Sequence, residues 1–351
     1  MKRFTSRKKA LSYILIILLF FLVAEVMLRI RERVKAKETQ VYGQINFFSS
    51  HPFLNYVLNP KIAEHNSLGF RGQEIDISKE ENIYRIFCLG ASSVYGSRVS
   101  PEESYPYFLN QLLKNTVKKK VPDVINAGVP GYTSANIFLL FQFRILPLSP
   151  DMIIIYSGFN DIFPRIMGKG AFDYSDFNIV WRPIPALKRA LFKSILAQKI
   201  IGRVGERLGI AFLTWPPHIH EIVQKWPYQY VTGDYKRNLA NTSAQIFQRN
   251  ILSLIQLARA NDVDVVLVTQ VLGPVKESKS IYAELAKGIM EHNNVIRNLT
   301  RQTGVYLIDL ESIFPRRSEM FIDEIHMSPK GNKIRAEIIS ETIAKIIQED
   351  N

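Results

Sequence analysis

The chain has 351 residues, 47% of them hydrophobic and 22% charged, which excludes a disordered protein and leaves room for one large or two small cored domains. Its single cysteine, Cys88, excludes an intrachain disulfide. Of the formal charge of +13, residues 1–39 supply +7, from ten Lys/Arg against three Glu. The basic excess is concentrated at the N-terminus, which argues against nucleic acid as a partner.

A basic N-terminus, residues 1–9, precedes an expected transmembrane anchor over residues 10–30. Its core from Ala10 to Leu28 is nineteen residues with Glu25 as the sole charge, close to the length that crosses a bilayer. Glu25 stands four residues before Arg29, where the two pair along a helix. Leu22 lies where a cleavage site wants a small residue, so an uncleaved single-pass anchor is expected over a signal peptide. Five basic residues precede the span and five follow it, so the positive-inside rule sets no orientation.

Residues 31–82 read as a linker and lead-in of loops and short strands, containing Asn66-Ser67-Leu68-Gly69-Phe70-Arg71-Gly72, with Arg71 expected at the surface and contact with an anionic substrate group as its other reading. A domain is expected over residues 83–351. Its first strand, Ile83 to Leu89, is apolar except for Arg85 and runs into Gly90-Ala91-Ser92-Ser93-Val94-Tyr95-Gly96. A helix is predicted from Pro101 to Val117, a strand from Asp123 to Ala127, and a helix from Ser134. Met152 to Tyr156 is an uninterrupted apolar strand of the kind covered on both faces. Strand and helix alternation lapses over residues 162–236, an expected insertion that holds Trp181, Trp215 and Trp226. Within it, Ala186 to Leu208 has the pattern of a basic amphipathic helix, expected on the domain surface, with a membrane surface as the other reading. Alternation resumes with helix 241–260, strand 263–269, helix 281–300, strand 305–309 and a last helix opened by Ser328-Pro329.

Five apolar strands alternating with helices imply a three-layer α/β/α domain around a parallel sheet. Ligands of such sheets bind beyond the carboxyl ends of the strands, and each polar motif falls there. Ser92 is the candidate nucleophile. In Asp323-Glu324-Ile325-His326 a histidine three residues after an aspartate can turn back so that the carboxylate fixes its tautomer and its other nitrogen faces a serine. Taken alone, Asp-x-x-His suits a metal site or a solvated loop equally well. The remaining histidines lack zinc-ligand spacing, apart from His218-x-His220 in the insertion.

Gly90 to Gly96, Asn126-Ala127-Gly128, Gly158-Phe159-Asn160-Asp161 and Asp323 to His326 together resemble the four sequence blocks of the SGNH hydrolase superfamily, the GDSL-type esterases and lipases. Ala91 replaces the aspartate of that name, and the Asn66-to-Arg71 stretch is similar to the lead-in of membrane-anchored bacterial members. The resemblance implies a flavodoxin-like sheet, Ser92, Asp323 and His326 as a catalytic triad, and an oxyanion hole formed by the Ser92 and Gly128 N–H groups and the Asn160 amide. Asp161 is expected as a structural or capping residue. Together with the apolar span, the resemblance implies a membrane-anchored serine esterase without cofactor or metal, acting on a carboxylic ester. An O-acetyl group on a glycan is the narrower expectation, with the catalytic domain extracytoplasmic. An O-acyltransferase acting on a glycan hydroxyl and a non-catalytic glycan-binding scaffold are the alternatives.

Overall fold

The computed structural model describes residues 2–38, 47–49, 51–166, 174, 194–208, 234–274 and 280–349. The three tryptophans, His218, His220, residues 186–193 of the expected amphipathic helix and most of the expected insertion lie outside the described residues. The chain divides into two compact units, Met1–Phe47 with Arg182–Trp226, and Phe48–Trp181 with Pro227–Asn351.

In the first unit, helix Lys2–Glu38 contains Lys8–Arg31, 24 residues that include an 18-residue window of mean hydropathy 2.7. That is long and apolar enough to cross a membrane, a property shared by membrane spans and signal sequences. Glu25 pairs with Arg29 at 2.8 Å. The same carboxylate accepts hydrogen bonds from Ser194 Oγ and from the N–H groups of Ile195 and Leu196, at 2.8 to 3.0 Å. It thereby caps helix Ile195–Leu208, whose first N–H groups have no partner within the helix.

The second unit opens with a two-stranded antiparallel pair, β1 (Phe48–Ser49) and β2 (Val57–Leu58). Its main sheet comprises β3 (Ile83–Gly90), β4 (Val121–Gly128), β5 (Met152–Tyr156), β6 (Asp264–Val268) and β7 (Tyr306–Ile308), all parallel, in the order β4-β3-β5-β6-β7. Counted along the chain this is the order 2-1-3-4-5 of flavodoxin-like folds, whose strand direction of travel reverses beside the first strand. Every residue of β5 is buried, and Ile153, Ile154 and Ile155 have no exposed surface. Each such side chain contributes about 1.5–3 kcal/mol relative to exposure. Arg85, the polar interruption in β3, is satisfied by Asp123 at 3.0 Å on the neighbouring strand and by the carbonyls of Leu148 and Asp76.

The helix predicted from Pro101 begins later. Pro101–Glu103 is a 3-10 turn with a Ser100/Glu103 capping box, and the α-helix runs over Tyr105–Thr116. Helix Ile162–Ile166, which the sequence places at the start of an insertion, is wholly buried in the second unit.

The lead-in differs most from expectation. Asn66, Phe70 and Arg71 are buried, with Arg71 only 4% exposed. Its backbone N–H donates to Asn126 O at 3.2 Å. Its guanidinium donates to the carbonyls of Tyr95, Gly96 and Val99, pairs with Glu64 at 2.9 Å, and lies 4.1 Å over the Tyr95 ring. Arg71 is thus a clamp on the segment that follows Ser92. Arg71→Ala is expected to lower the unfolding free energy by about 3 kcal/mol, the low end for breaking a buried ion pair. Urea unfolding of the variant beside the wild type measures this, and equal stability would mean that the clamp carries no energy.

Candidate active site

Strands β3, β4 and β5 end level, with Gly90 in register with both Gly128 and Tyr156. Their exits therefore form one row at the carboxyl edge of the sheet. Beyond β3 the chain makes a single helical turn, Ser92–Tyr95, closed by Gly96 in the left-handed region at φ 84°. The turn packs directly on β4: a Cβ on Gly128 would lie 2.1 Å from the Tyr95 nitrogen, so only glycine fits there. Ser92 occupies the first position of the turn, half-buried.

His326 approaches from the loop before the last helix, Pro329–Glu349. Its Nε2 is 2.9 Å from Ser92 Oγ, and its Nδ1 donates to Asp323 Oδ2 at 2.8 Å. The other carboxylate oxygen accepts the backbone N–H groups of Ile325 and His326, at 3.0 and 2.8 Å. Burial pushes the Asp323 carboxyl up, but the bonds from His326 and these N–H groups outweigh it and hold the group well below the usual carboxylate range. An ionised Asp323 fixes the Nδ1–H tautomer and leaves Nε2 to accept the Ser92 proton. The loop is tied to the serine turn by Ser93 Oγ donating to Ile325 O at 3.1 Å, and by Arg335 of the last helix donating to Ser93 O at 2.8 Å.

Asn160, from the loop after β5, lines the same cavity as Ser92, and one N–H of its amide donates to Tyr132 O at 2.9 Å, leaving the second N–H. Gly128 is placed differently from expectation. Its single N–H donates to Asn126 Oδ1 at 3.0 Å, so it is already committed. In the same loop Gly131, at φ 85°, carries no hydrogen bond on its N–H among the described residues and directly precedes Tyr132, which lines the cavity. Asp161 is fully buried and accepts the Ser134 N–H at 3.0 Å and the Ser134 hydroxyl, capping helix Ser134–Leu140 as a structural residue.

Three neighbours carry no sequence signal. Arg98, in the left-handed region at φ 72°, sets its guanidinium 3.2 Å from Asp323 Oδ2. His292, on helix Ser280–Thr303, donates from Nδ1 to Gly158 O at 2.8 Å and accepts Arg165 on Nε2 at 3.2 Å, while its ring stacks on Phe247. It holds the loop that carries Asn160. Gln270, two residues past β6, reaches the cavity wall. The cavity has a volume of about 250 Å³ including its open mouth, and the described residues lining it are uncharged.

A serine, a histidine and an aspartate hydrogen-bonded in series at the carboxyl edge of a flavodoxin-like sheet form an arrangement that can carry out nucleophilic acyl transfer. The model of the GDSL-like lipase/acylhydrolase family matches residues 88–334, and the chain belongs to that family. Among solved structures it is similar to a putative lipolytic protein of the G-D-S-L family from Desulfitobacterium hafniense, at 14% identity and a TM-score of 0.43, covering 73% of this chain and 98% of that one. A lipase/acylhydrolase from Enterococcus faecalis is 18% identical with a TM-score of 0.43, over 75% and 96% of the two chains. An acetyl xylan esterase is 17% identical with a TM-score of 0.46, over 74% and 99%. No curated protein matches the chain.

The buried groups around the site set a pH dependence of stability. Burial holds the His65 pKa down at about 4 and that of His292 at about 3, and raises that of Asp161 to about 6. Near pH 5 the unfolded chain therefore holds two histidine protons that the folded chain lacks, and the folded chain holds one aspartate proton that the unfolded chain lacks. Over these three groups the unfolded state binds about one proton more, so their share of the stability falls on acidification, by about 1.4 kcal/mol per pH unit, and the lowered pKa values of His51 and Glu311 act in the same direction. Asp161→Asn removes the opposing proton and is expected to roughly double that share. Denaturant unfolding at pH 6, 5 and 4.5 reads both slopes; a stability that rises on acidification contradicts the assignment.

Proposed function

We propose that the protein is a membrane-anchored serine esterase that removes a short acyl group, with an O-acetyl group on a glycan as its substrate. The observation that carries this reading is the hydrogen-bonded series from Ser92 Oγ through His326 to Asp323, with spacings of 2.9 and 2.8 Å. Ser92 Oγ attacks the ester carbonyl and passes its proton to His326 Nε2, while Asp323 steadies the imidazolium. Collapse of the tetrahedral intermediate expels the alcohol, which takes the proton from His326, and leaves the acyl group on Ser92. A water molecule deprotonated by His326 then attacks this ester, releasing the carboxylic acid and restoring the serine.

The developing oxyanion takes the Ser92 N–H and the second N–H of the Asn160 amide. Gly128 joins them only by surrendering its bond to Asn126, so the free N–H of Gly131 takes that place in this reading. The cavity beside Ser92 is small, about 250 Å³ with its open mouth counted in, which favours a short acyl group over a fatty acyl chain. Its neutral, partly hydroxylated lining favours an uncharged polar alcohol. The apolar stretch Lys8–Arg31 supports the anchor. Charge is balanced across the span and sets no orientation, so it is the glycan substrate of this reading that puts the catalytic domain outside and the N-terminus in the cytoplasm.

The full chain in detergent is expected to hydrolyse a short-chain aryl acetate, and Ser92→Ala to abolish turnover without change in melting temperature. Activity that survives in Ser92→Ala removes the serine from the mechanism. Asn160→Ala is expected to lower kcat by about 10²–10³, roughly 2.7–4 kcal/mol, with a much smaller effect on KM, and Asn160→Asp to be at least as harmful. Near-normal kcat in folded Asn160→Ala overturns the oxyanion role. For topology, a reporter active only outside the cytoplasm, fused at residue 45, should report, and one active only in the cytoplasm should stay silent; the opposite pattern reverses the orientation.

A further inference from the structure

Gln270 leaves β6 with its backbone held from both sides. Its N–H donates to Asn293 Oδ1 at 2.8 Å and its carbonyl accepts Asn293 Nδ2 at 2.9 Å, so one asparagine prolongs the strand edge. The preceding Thr269 spends its hydroxyl on Asp309 and on the Glu311 N–H. None of these four bonds involves the Gln270 side chain. Gln270 lines the cavity together with Ser92 and Asn160, is 4% exposed as a residue, and its Oε1 is buried without a hydrogen-bond partner. An unpaired buried acceptor is costly, and methionine would fill the same space without that cost. The loop therefore does not need the amide, yet Gln270 stands at the wall of the cavity.

We propose that Gln270 reads a hydroxyl group of the substrate adjoining the scissile ester. An amide offers both an acceptor and N–H donors, and a hydroxyl is the smallest neutral group that engages both. The cavity supplies no charged residue among its described lining to recruit an ion, which favours a neutral partner for the amide. The substrate class that results is the neutral hydroxylated ester, with the hydroxyl on either the alcohol or the acyl side. This inference rests on the esterase reading and adds to it a residue that selects among esters. A site built to bond a hydroxyl rejects the analogue that lacks it, because its own polar group is then left unpaired.

The test uses the full chain in detergent and two pairs of esters that differ only by hydroxyl against methyl or methylene. Glycerol monoacetate against 2-methylbutyl acetate varies the alcohol; ethyl lactate against ethyl isobutyrate varies the acyl group. In the wild type, kcat/KM for the hydroxylated member of one pair is expected to exceed that of its partner by about 10- to 100-fold. Gln270→Met should bring that ratio within about threefold while turnover of the hydrocarbon ester holds or rises, and the pair that responds identifies the side of the hydroxyl. Gln270→Leu reads the same ratio should the methionine variant fold poorly. Ratios near one for both pairs in an active wild type overturn the inference alone, as does a variant that slows all four esters alike. A wild type that turns over none of the four, nor an aryl acetate, removes the esterase reading and this inference with it.

Discussion

The position of Ser92 depends on two buried arginines that grip its turn from opposite ends of the chain. A single helical turn of four residues has almost no intrinsic stability, since nucleation fixes several residues for one hydrogen bond. Its carbonyls, and those of the residues just after it, need partners that the turn itself does not supply. Arg71 of the lead-in takes the carbonyls of Tyr95, Gly96 and Val99; Arg335 of the last helix takes that of Ser93. The Arg335 guanidinium lies 4.0 Å over the Tyr105 ring and 5.0 Å from the Tyr156 ring centre, so aromatic faces stand beside the nitrogens left without oxygen partners. Ser92 is thus set by charge-assisted bonds to backbone, whose fork geometry leaves little freedom.

The same logic governs the loop after β5. Asn160 is carried by a segment whose Gly158 carbonyl is held by His292, and the next residue, Asp161, is pinned by both polar groups of Ser134. His292 performs this only while neutral, with Nδ1 donating and Nε2 accepting, and its burial against Phe247 keeps it so. Support for the cavity therefore comes from residues that do not line it, distributed over the helices that flank the sheet.

Much of this was legible in the sequence because strand ends announce themselves. An apolar run such as Met152 to Tyr156 has one structural meaning in an alternating chain, and a polar motif at its end has a position as soon as the sheet is granted. The approach of His326 to Ser92 is a consequence of that placement. Arg71 escaped because its partners lie 24 to 28 residues away and a lone arginine in a turn-rich stretch looks solvated. The commitment of the Gly128 N–H escaped because it depends on the rotamer of Asn126 two residues earlier. Gln270 and Arg98 are single polar residues without a pattern; only the fold brings them to the cavity and to Asp323.

Asn126 shows how the lead-in, the Ser92 turn and the sheet become one object. Its carbonyl accepts the Arg71 N–H, its Nδ2 donates to Tyr95 O at 3.1 Å, and its Oδ1 takes the Gly128 N–H. One buried residue near the end of β4 thus joins, by backbone and side chain together, three segments that sequence separates by up to 55 residues, from 71 to 126. Residues 48–82 accordingly belong to the compact unit that holds the site rather than to a linker. The Ser92 turn has no complete set of partners without Arg71, so the lead-in is part of what holds Ser92 in place.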